Sequence, residues 1–199
     1  MLSLLIGAAA FALLIFSDFL ALKNKKASAF VCALAGLVGL LGATAHLVGL
    51  TDWEIFFRDN LALRLIAVIV ALSFLSLLIY TLFFALPASK TYSFDNNKLM
   101  LVDTGVYAIC RHPGVIWLGM FYFFAWLATS NAFLLIGCVL FTIMDIVYVV
   151  FQDIFIFPKT INRYFEYKKY TPFLIPTRKS LRRAFKKGGC AAGEERNEI

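Results

Sequence analysis

Val115 to Leu127 reads VIWLGMFYFFAWL and Phe133 to Phe157 reads FLLIGCVLFTIMDIVYVVFQDIFIF, with Thr129-Ser130-Asn131 between them. A hydrocarbon layer takes roughly 20 apolar residues per helix, so this run is too long for one crossing. Three consecutive polar residues at its interruption predict a tight helical hairpin, with a first arm to about Leu127 and a second from Phe133 to about Phe157. The first arm is short for a full crossing.

Working outward, Met1 to Leu22, Ala27 to Leu50 and Leu65 to Leu86 are three further apolar stretches of spanning length. With 61% hydrophobic residues, 16% charged residues and 21 Phe in 199, the chain holds more apolar surface than a soluble domain needs for its core. The expectation is an all-α integral membrane protein of about five transmembrane helices. Its parts would be three amino-terminal helices over 1–86, a connector, hairpin and tail over 87–178, and a basic tail over 179–199. Ala27-Ser28-Ala29 looks like a signal cleavage site, but Met1-Leu2-Ser3-Leu4 carries no charge and Lys23, Lys25 and Lys26 follow the apolar run, so the first span is expected to stay as a helix.

Positive charge orients the spans. All but Arg58 and Arg64 of the nineteen Lys and Arg fall in the first connection, in the polar stretch near Lys90, Lys98 and Arg111, or in the tail. Those segments are expected in the cytoplasm. The loop from Thr51 to Arg64, with Asp52, Glu54 and Asp59 beside Trp53, Phe56 and Phe57, is expected outside. The amino terminus would then lie outside and the carboxyl terminus in the cytoplasm, in a cell membrane or the endoplasmic reticulum.

The net charge of +7 sits largely in that tail, beside a membrane that presents anionic lipid, which makes membrane lipid a better expected partner than nucleic acid. Leu181 and Phe185 alternate there with Arg178, Lys179, Arg182, Arg183, Lys186 and Lys187. The pattern fits an interfacial helix, and it fits equally a solvated topology signal. Cys32, Cys110, Cys138 and Cys190 have no spacing that suggests zinc or a disulfide framework, and no metal is expected. Nor does Cys190 stand where a prenylation signal would place it. Gly36, Gly39 and Gly42 read as a packing stripe.

Polar residues inside apolar spans mark a function or a buried partner. Asp18 lies near an interface, where it could snorkel, and His46 could hydrogen-bond across helices. Asp145 is followed by Tyr148, Gln152 and Asp153 at spacings that put all four on one helix face. That face leads toward Arg111-His112-Pro113, at the edge of the polar stretch Pro87 to Gly105. Alone, the tripeptide reads as an interfacial loop with Pro at a first helical turn.

Leu101-Val102-Asp103-Thr104-Gly105-Val106-Tyr107-Ala108-Ile109-Cys110-Arg111-His112-Pro113 precedes the hairpin, and Tyr164-Phe165-Glu166-Tyr167-Lys168-Lys169-Tyr170 with Pro172 and Pro176 follows it. In that order and spacing the region from about Leu99 to Pro176 resembles the isoprenylcysteine carboxyl methyltransferases and related phospholipid methyltransferases. The resemblance implies an integral membrane methyltransferase that uses S-adenosylmethionine and acts on a lipophilic small molecule, lipid or lipidated acceptor. It implies cofactor contacts from Leu99, Met100, Leu101, Val102, Tyr107, His112, Pro113, Gly114, Val115, Gln152, Asp153, Tyr164 and Tyr167. Arg111, Asp153 and Tyr148 would act at the reacting centre, with Arg111 on the cofactor carboxylate or paired with Asp153 or Asp103. Trp117, Asp145 and Tyr148 would meet the acceptor.

This chain departs from the family pattern at three points. Gln152 stands where the family has the first of two glutamates and Asp153 where it has the second; Tyr148 occupies the turn of an acceptor-binding arginine; and Val115 replaces a frequent aromatic residue. Two other readings accompany the main one: a steroid-reductase type of enzyme with a nicotinamide cofactor, which bears a similar Arg-His-Pro pattern, and a non-catalytic member of the methyltransferase fold. Neither the acceptor nor the oligomeric state is readable from the sequence.

Overall fold

A computed structural model describes residues 1–49, 60–85, 94–95 and 98–185. Of the expected outer loop from Thr51 to Arg64, the part through Asp59 lies outside the described residues, as do Lys90 and the tail from Lys186 onward; Leu61 to Arg64 are helical instead. The helices are α1 (Leu2–Leu22), α2 (Lys26–Gly49), α3 (Leu61–Ile79), α4 (Val106–Ile109), α5 (Pro113–Thr129), α6 (Ala132–Phe151), α7 (Phe157–Thr160), α8 (Tyr164–Tyr170) and α9 (Arg178–Phe185). Among the described residues one antiparallel pair, β1 (Phe94–Asp95) with β2 (Lys98–Leu99), accompanies the helices.

Two of the long helices change pitch near their ends. α3 continues as a π-helical turn over Tyr80–Phe84, and α6 as another over Gln152–Ile156 before α7. Pro158, just beyond the second turn, cannot donate a backbone hydrogen bond to Ile154, so the regular α-helical ladder cannot run through this point. Counting these continuations, four helices among the described residues are long and apolar enough to cross a membrane by length and composition: Leu2–Leu22, Lys26–Gly49, Leu61–Phe84 and Ala132–Thr160. The shorter apolar helix α5 has 17 residues, about 25 Å of rise against a hydrocarbon layer of about 30 Å.

The chain packs as two compact units, Met1–Leu77 with Trp117–Ile156, and Leu78–Ile116 with the described residues from Phe157 onward. In the first unit several alanines share the interior with large side chains such as Phe11, Tyr122 and Phe141. Ala10, Ala29, Ala43, Ala67 and Ala71 are buried, while Phe30, Leu65, Ile69 and Val147 face outward. Small residues at helix contacts, with many large apolar ones facing outward, suit helices that pack closely in lipid. A Cβ on Gly36 would stand 3.0 Å from the Ala10 carbonyl oxygen, and one on Gly39 3.4 Å from the Ala10 Cβ. Gly42 faces open space, so the glycine stripe packs over two of its three members.

α1 ends on Asn24 in the left-handed region (φ 59°), and the Lys25 N–H donates back to the Leu20 carbonyl at 3.0 Å. That is the helix-ending turn in which Asn substitutes for Gly, and it reverses the chain within four residues. The predicted hairpin turn forms at Thr129-Ser130-Asn131. Ser130 takes a left-handed φ of 54°. Asn131 caps α6 by accepting from the Phe133 N–H at 2.8 Å, and its amide donates to the Leu47 carbonyl at 3.4 Å. At the middle of this unit Phe141 is fully buried against Phe11 and Tyr122. The Thr44 hydroxyl donates to Leu40, so the hydrogen it shares with Tyr122 comes from the tyrosine.

Candidate functional site

Residues of the Arg-His-Pro motif are set by the backbone on both sides. Gly105 enters α4 at φ 60° and ψ −130°, a conformation that suits only glycine. Cys110 leaves α4 extended, and Pro113 opens α5, where its missing N–H is no loss. The Arg111 N–H donates to the Pro172 carbonyl at 2.9 Å and the His112 N–H to the Phe173 carbonyl at 3.3 Å, so a segment sixty residues downstream is tied onto the motif.

His112 is only 6% exposed. Its imidazole lies nearly parallel to the Phe157 ring, 5.8 Å between centroids, and meets Phe173 edge-on at 5.0 Å. The Arg111 guanidinium lies 5.5 Å from the centroid of the same Phe173 ring, with its Nε and Nη1 buried. Pro113 and Val115 are buried beside them, and Gly114 has room, since a Cβ there would make ordinary contact with Leu78.

Tyrosines of α8 close this arrangement. Tyr164, 3% exposed, packs its ring against Phe157 at 5.5 Å. Tyr167 donates its hydroxyl hydrogen to the Tyr107 carbonyl at 2.6 Å, and Tyr107 donates its own to the Thr81 carbonyl at 3.0 Å. Tyr170 donates to Asp103 at 3.0 Å, which gives Asp103 a partner other than the expected Arg111. The Leu99 carbonyl, expected to be available to a ligand, accepts from the Asn162 N–H at 2.9 Å. Leu101 and Val102 are half-buried and Met100 is exposed. Burial pushes the Tyr107 hydroxyl up to about 12 and the Cys110 thiol up to about 11. It also raises Tyr167, and it raises Tyr170 with help from the Asp103 carboxylate.

The remaining expected site residues belong to the first unit. Trp117 stacks on Phe74 with centroids 6.0 Å apart. Asp145 is half-buried on α6 and Asp153 buried in the π-helical turn. Gln152 donates both hydrogens of its amide nitrogen, one to the Asp18 carboxylate and one to the Tyr148 hydroxyl, each at 2.8 Å. An ionised glutamate could donate neither bond. The Gln152 amide thereby ties α1 to the end of α6. Asp18 does not simply snorkel: it is half-buried and held by this partner. His46 makes the expected cross-helix contact, 2.6 Å from the Ser3 hydroxyl.

Sequence reasoning missed Phe157 and Phe173 as the rings around His112, and Asp18 as the partner of Gln152. Local spacing carries no trace of the first. A signal for the second existed, since two polar residues in separate apolar spans stabilise each other by pairing. Long apolar helices and this burial pattern are compatible with an integral membrane protein. No protein-family model, curated protein or solved structure matches the chain.

Proposed function

We propose that this protein is an integral membrane methyltransferase that binds S-adenosylmethionine through its second unit and methylates a lipophilic acceptor. The observation that supports the reading is the gathering of Arg111, His112, Phe157, Tyr164 and Phe173 from three separated stretches of sequence. The donor set suits such a ligand: a guanidinium and an imidazole for a carboxylate, and aromatic faces that attract a sulfonium cation. When bound, the cofactor supplies an electrophilic methyl group whose in-line displacement needs positioning and exclusion of water. Phe157, Phe173 and Tyr164 are the water-excluding surface here. Roles for Gln152 and Asp153 toward the cofactor, and for Trp117, Asp145 and Tyr148 toward the acceptor, rest on the sequence resemblance alone. A fifth crossing by α5 and a cytoplasmic carboxyl terminus belong to the same proposal, the latter from the distribution of Lys and Arg.

Calorimetry of the purified protein with S-adenosylmethionine, its demethylated product and a reduced nicotinamide cofactor tests the reading. Saturable binding of the first two is expected, with His112→Ala weakening it about tenfold and also lowering the melting temperature, because the imidazole is buried between Phe157 and Phe173. Binding of the nicotinamide alone would replace this reading with the reductase one, and unchanged affinity in His112→Ala would remove the site assignment.

A further inference from the structure

The carboxyl-terminal helix α9 has two faces that do different things. Its start is fixed by a reciprocal cap, the Thr177 hydroxyl accepting from the Ser180 N–H at 3.1 Å and the Ser180 hydroxyl from the Thr177 N–H at 2.9 Å. Ser180 is fully buried. One turn on, Arg183 donates to the Tyr170 carbonyl and lies 4.9 Å from the centroid of the Tyr170 ring. Ser180, Arg183 and Ala184 thus form the side that docks on the rest of the second unit, consistent with the packing of α9 on α4.

The opposite side, at spacings of three and four residues, carries Arg178, Leu181, Arg182 and Phe185, with Lys179 at its edge. Phe185 is 81% exposed, and Ile175, just before the helix, is 82% exposed. A helix that only needed solvation would gain nothing from large apolar side chains on its outward face. Guanidinium and ammonium groups beside outward Leu and Phe suit a surface with phosphates above and hydrocarbon below, because the long basic side chains can reach up while the apolar ones sink. A nucleic acid would use the charges and leave Ile175 and Phe185 in water.

We propose that α9 is a membrane-surface anchor that binds anionic lipid headgroups, with Arg178, Lys179 and Arg182 on the phosphates and Leu181 and Phe185 in the acyl boundary. It is distinct from the methyltransferase reading and does not depend on it. The test places the full chain in nanodiscs of phosphatidylcholine, alone or mixed with phosphatidylglycerol, and follows amide exchange across 178–185. Exchange is expected to slow on the order of tenfold with the anionic lipid, an effect that salt reduces. The triple variant R178Q/K179Q/R182Q should lose that difference, and F185S should lose protection in both lipids. R183Q, which releases Tyr170, reports a helix that has come away and should speed exchange equally in both. Equal rates for the unaltered protein in the two lipids would overturn the proposal, as would equal protection by RNA added to neutral nanodiscs.

Discussion

In the first unit a Cβ on Gly7 would run into the ring of Phe141 and one on Gly36 into the Ala10 backbone, whereas in the second unit Tyr107, Tyr167 and Tyr170 each donate a hydroxyl hydrogen to an oxygen far away in sequence. At these glycines the first unit depends on closeness; at these tyrosines the second depends on directed polar bonds. Lipid offers little hydrophobic drive between helices, so a bundle there relies on van der Waals contact through small residues. A chain segment with little regular structure has many backbone groups to satisfy, and tyrosine supplies a donor on a rigid apolar stem. The difference teaches where each unit is fragile: the first to added volume, the second to lost donors.

The largest expected effect follows from volume. Gly7→Leu places a side chain where the Phe141 ring already lies, and we expect a loss of about 3 kcal/mol or more, read as loss of monodisperse protein and a lower melting temperature in detergent. Gly42→Ala, at a position with no atom within 4 Å, should keep or raise stability by up to about 1 kcal/mol. Equal damage from both would show that close contact at Gly7 is not what makes the first unit sensitive to added volume.

Next comes a polar tie within the first unit, between Gln152 and Asp18. Gln152→Glu removes both donated hydrogen bonds and sets a second carboxylate beside Asp18, at an expected cost of about 3 kcal/mol. Asp18→Asn in the same chain should recover a large part of it, because the amide then donates to the glutamate. Denaturation of the two single variants and the double variant measures the coupling, and strictly additive effects would show that residues 18 and 152 do not share a bond.

Smaller effects are expected in the second unit. Tyr167→Phe leaves the Tyr107 carbonyl without its donor, for about 1–2 kcal/mol. Amide exchange should quicken over α4 and α8 and stay unchanged in α1, α2 and α6; a uniform change would mean the two units unfold as one. Finally, Tyr107 and Cys110 hold their protons more tightly folded than unfolded, the reference values being 10 and 9 and the folded ones about 12 and about 11. Their contribution is complete below pH 9 and is lost as pH rises toward 12, since the unfolded chain releases these protons first. Near-ultraviolet circular dichroism should therefore decline as tyrosinate absorbance grows. Tyrosinate formed near pH 10 with the spectrum unchanged would show that these hydroxyls are not protected by the fold.

Much of the first unit was legible in the sequence. Apolar runs of spanning length located α1, α2, α3 and α6 to within a few residues, because length and hydropathy are local properties. Thr129-Ser130-Asn131 located the hairpin because a capping asparagine acts on the residues next to it. The second unit was legible only as a set of motifs. Arg111-His112-Pro113 and the tyrosines of α8 could be named, but not the rings around His112 or the destination of each hydroxyl.

Composition and periodicity alone determined a helical chain with membrane-length apolar segments and a basic tail, since burial of apolar surface and satisfaction of backbone hydrogen bonds depend on short stretches at a time. Tertiary structure alone decided that Phe157 and Phe173 flank His112, that Tyr167 bonds to Tyr107, and that the Gln152 amide donates to Asp18. Those are contacts between residues about 45 to 134 positions apart. No local pattern encodes such partners, because their energies exist only once the chain has closed the loops between them.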